Sequence, residues 1–225
     1  LHLSRKLWRN QLESCALKDL ETAILHLERT TEDVPGWMIP DIYFEYLRTG
    51  DPQKISDVIY HNAQDIVSLA ALFLHISDLL ESQSLENIAT EDLIAISRIY
   101  TEINAPELAE KTLQICHQRR LASDQKKRVS ILLGNHFKNR GDPIQAVEYW
   151  KEASEKNDVN SCIELAKYYE HKCRDVQTAL VWARKAGMIV NENLTDQNMK
   201  HLASLIEKRI SRLERKRAKN VQAQD

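Results

Sequence analysis

The sequence predicts an all-α chain, on three observations. Only 5 Gly and 5 Pro occur in 225 residues, too few for the many turns of a sandwich or barrel. Apolar residues recur at helical spacing along most of the length. No stretch alternates with period two for long enough to be a strand.

The elements follow in order. Leu3, Leu7 and Trp8 are spaced for one helix face, and Leu17, Leu20, Ile24 and Leu27 make a second stripe. The stretch ERTTEDVPGWMIP breaks the pattern, because Pro35, Gly36 and Pro40 forbid a continuous helix and a residue before proline is biased to an extended shape. Asp33-Val-Pro-Gly reads as a turn. Asp41 is expected to cap the next helix, with Ile42, Tyr43, Tyr46 and Leu47 on its apolar side. Gly50-Asp51-Pro52 then closes one helix and opens another. Ile55, Val58, Ile59, Ile66, Leu69, Leu72, Phe73, Ile76 and Leu80 follow at 3.6-residue spacing.

Beyond residue 85 the chain repeats. Gly134, Phe137, Gly141, Ala146, Trp150 and Ala153 have counterparts upstream in Ser97, Tyr100, Asn104, Ala109, Leu113 and Cys116. Downstream counterparts are Ala166, Tyr169, Cys173, Ala179, Ala183 and Ala186. A period of about 34, with small residues where two helices touch, is the signature of tetratricopeptide helix pairs. The third copy, ELAKYYEHKCRDVQTALVWARKAG, also resembles the Sel1-like variant. A last helix over roughly 196–218 would cap a short solenoid.

Charge is unevenly placed. Residues 1–84 carry 13 acids and 7 bases, residues 85–206 carry 17 of each, and residues 207–225 carry 3 acids and 7 bases. Boundaries near 85 and 207 follow, with domains at 1–84 and 85–225. The overall net charge of −2 excludes a generic basic nucleic-acid coat. The basic tail keeps Ile206, Ile210 and Leu213 on one side. It reads as a solvated capping helix, or as a phosphate-contact arm through Lys208, Arg209, Arg212, Arg215, Lys216 and Arg217. No run approaches 18 apolar residues, so no membrane span is expected. No basic-then-apolar leader opens the chain, and a cytoplasmic location is expected. Cys15, Cys116, Cys162 and Cys173 form no CxxC pair and read as reduced thiols. Glycine-rich phosphate loops, GxSxG and zinc spacings are absent, which removes the kinase, NTPase, hydrolase and dehydrogenase classes.

Chemistry concentrates in Tyr60-His61-Asn62-Ala63-Gln64-Asp65. His61 and Asp65 stand four apart and share a helix face. A carboxylate there can hold a metal-bound water and an imidazole can take its proton; the spacing alone is more often that of a solvent-exposed or locally paired couple. Trp150 and Trp182 fall inside repeats, where core packing is expected. Trp37 lies in the irregular loop, where a base-stacking role stands beside a packing one. His26, His75 and His117 stand singly and read as ordinary surface or boundary residues.

Residues 1–80 resemble the later part of the YprB-type ribonuclease H-like exonuclease family. The matching phrases are SRKLWR, ALKDLE, RTTEDVPGWMIPDIYFEYLRTGD and HNAQDIVSLAAL. The resemblance implies a DEDD-type 3′–5′ exonuclease built around a sheet, acting on DNA or RNA with Mg2+ or Mn2+. It makes Asp65 a metal ligand and His61 the general base, with Asn62 following the family's HN pair. The family's strand-borne DxE and its second Asp lie upstream of the matched region. Asp19, Glu21, Asp33, Asp41 and Glu45 do not sit in such a context. One carboxylate and one imidazole cannot hold two metals about 3.5–4 Å apart. No tight metal binding and no catalysis are therefore expected of this polypeptide alone. The alternative is a non-catalytic tetratricopeptide adaptor that binds a protein partner through its repeats.

Overall fold

A computed structural model of the chain describes residues 1–29, 34–81, 85–192 and 197–222. Among these residues every regular element is helical and no strand forms. The fold is all-α. The Asp33 turn lies outside the described residues. Two compact units divide the chain, Leu1–Ile99 and Tyr100–Asp225.

The first unit holds α1 (His2–Trp8), α2 (Leu17–Ala23), α3 (Ile39–Thr49), α4 (Gln53–Glu81) and most of α5 (Thr90–Glu102). α1 buries Leu7 and Trp8, and the Trp8 indole donates to Asp92 at 3.1 Å. α2 is shorter than its stripe suggests. It stops at Ala23, and the Leu27 amide turns back to the Glu21 carbonyl at 2.9 Å, so Leu27 faces solvent. α3 begins at Ile39, before Asp41, because Pro40 in its first turn is already set to helical φ. Asp41 is thus a first-turn acid and not the cap. Gly50 ends α3 at φ +70°, and the Asp51 carboxylate accepts from the Gln53 amide at 3.0 Å to open α4.

α4 is 29 residues long and buries Ser68, Leu72 and Ile76, with α2 and α3 packed on it. Its opposite side carries Ile59, Ile66, Val67, Phe73 and Leu74, all exposed; Phe73 is 64% exposed. A helix of a soluble protein normally turns its apolar stripe inward; α4 carries apolar residues on both sides, and the outward ones stay bare. It also meets the length and composition of a membrane span, with mean hydropathy 1.4 over 18 residues. No unbroken run of 18 apolar residues occurs in it, and polar residues interrupt both sides of the helix, among them Asn62 on the exposed side and Ser68 on the buried one.

The second unit stacks α6 (Pro106–Gln118), α7 (Ser123–Asn139), α8 (Pro143–Glu155), α9 (Val159–His171), α10 (Val176–Glu192) and α11 (Gln197–Gln222), each packed on the next. Short corners recur. Gly141, Asn157 and Arg174 take left-handed φ of +80°, +57° and +55°. An aspartate follows each one, and Asp142, Asp158 and Asp175 accept from the amide three residues on, at 3.1, 2.7 and 2.9 Å. Each pair closes one helix and caps the next. Between α7 and α8 the approach is so close that a Cβ on Gly134 would lie 2.5 Å from the Trp150 ring. Ala166, Ala179 and Ala183 do the same service between α9 and α10, in a cluster closed by Leu213 of α11.

Candidate functional site

α4 places His61 and Asp65 on one side, both half-buried, while Asn62 faces solvent. The Tyr60 ring meets the His61 ring edge-on at 6.0 Å. One turn on, the Gln64 side-chain oxygen is buried with no hydrogen-bond partner among the described residues. The two residues picked out in the sequence thus share one side of α4, four positions apart.

Asp65 is not bare, however. Arg29 donates from Nη2 to Asp65 Oδ1 at 2.6 Å. The same guanidinium forks onto Glu21, with Nη2 to Oε1 at 2.8 Å and Nε to Oε2 at 2.5 Å. Side-chain exposure is 2% for Glu21, 8% for Arg29 and 45% for Asp65. The physical order is clear. Glu21 sits on the buried side of α2, where an unpaired carboxylate is strongly unfavourable, and Arg supplies the planar fork that satisfies it. Asp65 then takes a remaining N–H at the solvent edge. Sequence reasoning missed Arg29 and Glu21 as site residues. Both lie inside the quoted phrases, but a pair 36 residues apart leaves no spacing signal.

The donor set does not make a divalent-cation site. No group of three or more His, Cys, Asp or Glu side chains is poised for a metal among the described residues. Asp65 already accepts a hydrogen bond from Arg29, and Glu45 pairs with Lys54 at 2.9 Å on the surface. Hard divalent ions need several oxygen ligands, and these residues offer one.

The other predicted contacts separate. Trp37, in a 3-10 turn over Gly36–Met38, is 76% exposed. Trp150 is buried in the core of the second unit, and Trp182 is partly buried against the α10–α11 clusters. On α11, Arg209, Arg212 and Lys216 converge on the buried Glu170 carboxylate of α9 at 3.2, 2.6 and 2.6 Å. Burial pushes the Glu170 carboxyl up, but these cations outweigh it and hold it below the usual range. Lys208, Arg215 and Arg217 remain exposed. His117 is not a lone histidine: Glu152 bridges its Nε2 at 2.8 Å and the Ser130 hydroxyl at 2.9 Å.

A second concentration of charge was not read from the sequence. Glu164 of α9 accepts from Lys138 of α7 and Lys167 of α9, each at 2.7 Å. Burial raises its carboxyl pKa, and the two ammonium groups more than reverse that. Beside this trio lies a cavity of about 230 Å³. Only the i,i+3 half of the trio, Glu164–Lys167, is a sequence signal.

Residues 1–77 match the model of a family of the RNase_H superfamily. Over 96% of its length the chain is 27% identical to the uncharacterized protein YprB of Bacillus subtilis (strain 168). The chain spans about half the length of that relative, 51%. The segment that carries His61 and Asp65 is thus ribonuclease H-like in sequence.

Proposed function

We propose that this chain is part of a metal-dependent nuclease of the ribonuclease H-like superfamily, acting as a 3′–5′ exonuclease on DNA or RNA. The observation that carries the reading is the family match over residues 1–77, with His61 and Asp65 co-facial on α4 inside it. Residues 1–84 are assigned to the nuclease segment. In this reading Asp65 belongs to a carboxylate set that holds Mg2+ or Mn2+, and His61 is the base beside it. The remaining carboxylates come from sequence before Leu1. Asn62 and Trp37 lie at the edge of the same segment and contact the strand.

The bare side of α4 supports the same reading. Its apolar stripe is what a helix shows when the layer it covers lies elsewhere, and ribonuclease H-like domains fold around a sheet. An adaptor whose front helices only cap a solenoid has no use for such a face. Residues 85–225 we assign to tetratricopeptide-like helix pairs that position nucleic acid or recruit a protein, with Lys208, Arg215 and Arg217 as outward phosphate contacts. Because Asp65 is the only carboxylate assigned to the set among the described residues, the 225-residue polypeptide by itself is expected not to cleave.

The test is cleavage of end-labelled single-stranded and duplex DNA and RNA in Mn2+ by the complete gene product, against its Asp65→Asn variant. Metal-dependent shortening that the variant lacks supports the reading. Undiminished cleavage by the variant, or none by the complete protein, overturns it.

A further inference from the structure

The cavity beside Glu164 has a chemistry that the nuclease segment does not account for. Pro143 and Trp150 of α8 and Tyr168 and His171 of α9 line it. Its rim carries Lys138, Lys167 and Lys172. Glu164, Lys167 and Tyr168 share one face of α9, spaced i, i+3 and i+4. The only acid in the lining, Glu164, is spanned by two lysines, so the rim keeps net positive charge. Lys172 has no acidic partner among the described residues. The ammonium of Lys138 also stands 5.9 Å over the Trp150 ring.

We propose that this cavity is a subsite for single-stranded nucleic acid, holding one base against Tyr168 while the lysines carry the flanking phosphates. At about 230 Å³ it is smaller than the roughly 300–1,000 Å³ of a whole-ligand site, and suits one planar ring. Apolar and aromatic walls accept a base by its face, whatever its identity. A peptide main chain drawn against Pro143 and Trp150 would bring amides that these two side chains do not satisfy. Lysine is the point-charge partner of phosphate, and it tolerates the changing geometry of a flexible strand. The choice of nucleic acid among anions rests on the nuclease reading above; the charge and the walls do not.

The probe is a short fluorescein-labelled oligothymidylate, titrated with the 225-residue chain in chelator and followed by anisotropy. With Glu164 offsetting one of the three lysines, two phosphate contacts give a slope of about −1.4 for log K against log salt, at about −0.7 per contact. Lys167→Gln and Lys172→Gln are each expected to flatten it by about 0.7. Tyr168→Leu is expected to weaken binding about tenfold at any salt. Circular dichroism shows whether each variant folds, and Lys172, being exposed and unpaired, is the one least able to disturb the fold.

Binding unchanged by Lys172→Gln and Tyr168→Leu overturns the proposal. So does loss of binding only on neutralising Arg215, Arg217 and Lys219, which places the strand on α11. A glutamate-rich peptide that binds more tightly than the oligonucleotide and displaces it makes the cavity an acidic-peptide site and also overturns it. Since no divalent ion is present, failure of the cleavage assay leaves this result untouched, and the two readings fall separately.

Discussion

Gly134 shows how much one missing atom group decides. With a Cβ 2.5 Å from the Trp150 ring, Gly134→Ala forces α7 and α8 apart or twists the indole. Overpacking of this kind costs about 1–3 kcal/mol, readable as a lower midpoint in urea unfolding. The glycine was legible as a small residue at a repeat offset, because packing distance imposes a period. Arg29 was not legible, because its partners Glu21 and Asp65 are brought to it by chain folding and obey no spacing. Removing it is expected to be severe. Arg29→Met strands the buried Glu21 carboxylate at about 3–5 kcal/mol, measured by denaturant titration. Glu21→Gln made together with Arg29→Met should recover much of that loss, since the uncompensated charge is then gone.

Among the elements, α11 was anticipated as an amphipathic cap and α4 as an amphipathic helix, yet they use their faces differently. α11 docks Ile206 and Leu213 into the core, as its spacing implied. Three of its eight lysines and arginines are spent on Glu170, which no charge count along the chain could reveal. That pairing has a pH consequence. The folded Glu170 carboxyl titrates below its unfolded value, near 4.3. Its contribution is therefore complete above about pH 5 and is lost as pH falls through the lower, folded value. Thermal melts taken downward from about pH 6 should show a steep acid limb, which Glu170→Gln flattens while costing about 2 kcal/mol at neutral pH. An acid limb of equal slope in the variant would remove Glu170 from the account. On α4 the 3.6-residue period was plain in the sequence, but which side faced the core was not. Periodicity identifies an apolar side without saying whether this chain covers it.

At the scale of the whole molecule, low glycine and proline content and helical spacing made the all-α class readable. They could not show that much apolar surface stays open in the first unit. Contiguous apolar patches on monomers are about 300–600 Å² and larger ones mark interaction surfaces. The 225-residue chain is expected to bind a hydrophobic dye and to associate in light scattering, and Val67→Lys with Phe73→Lys should reduce both. In the proposed function Asp65 is one member of a carboxylate set completed outside these 225 residues. The nucleotide sequence immediately upstream of the Leu1 codon tests it most directly. A continuous open frame encoding a strand-borne DxE and a later Asp is the expected result. A stop codon abutting Leu1 in that frame would contradict it.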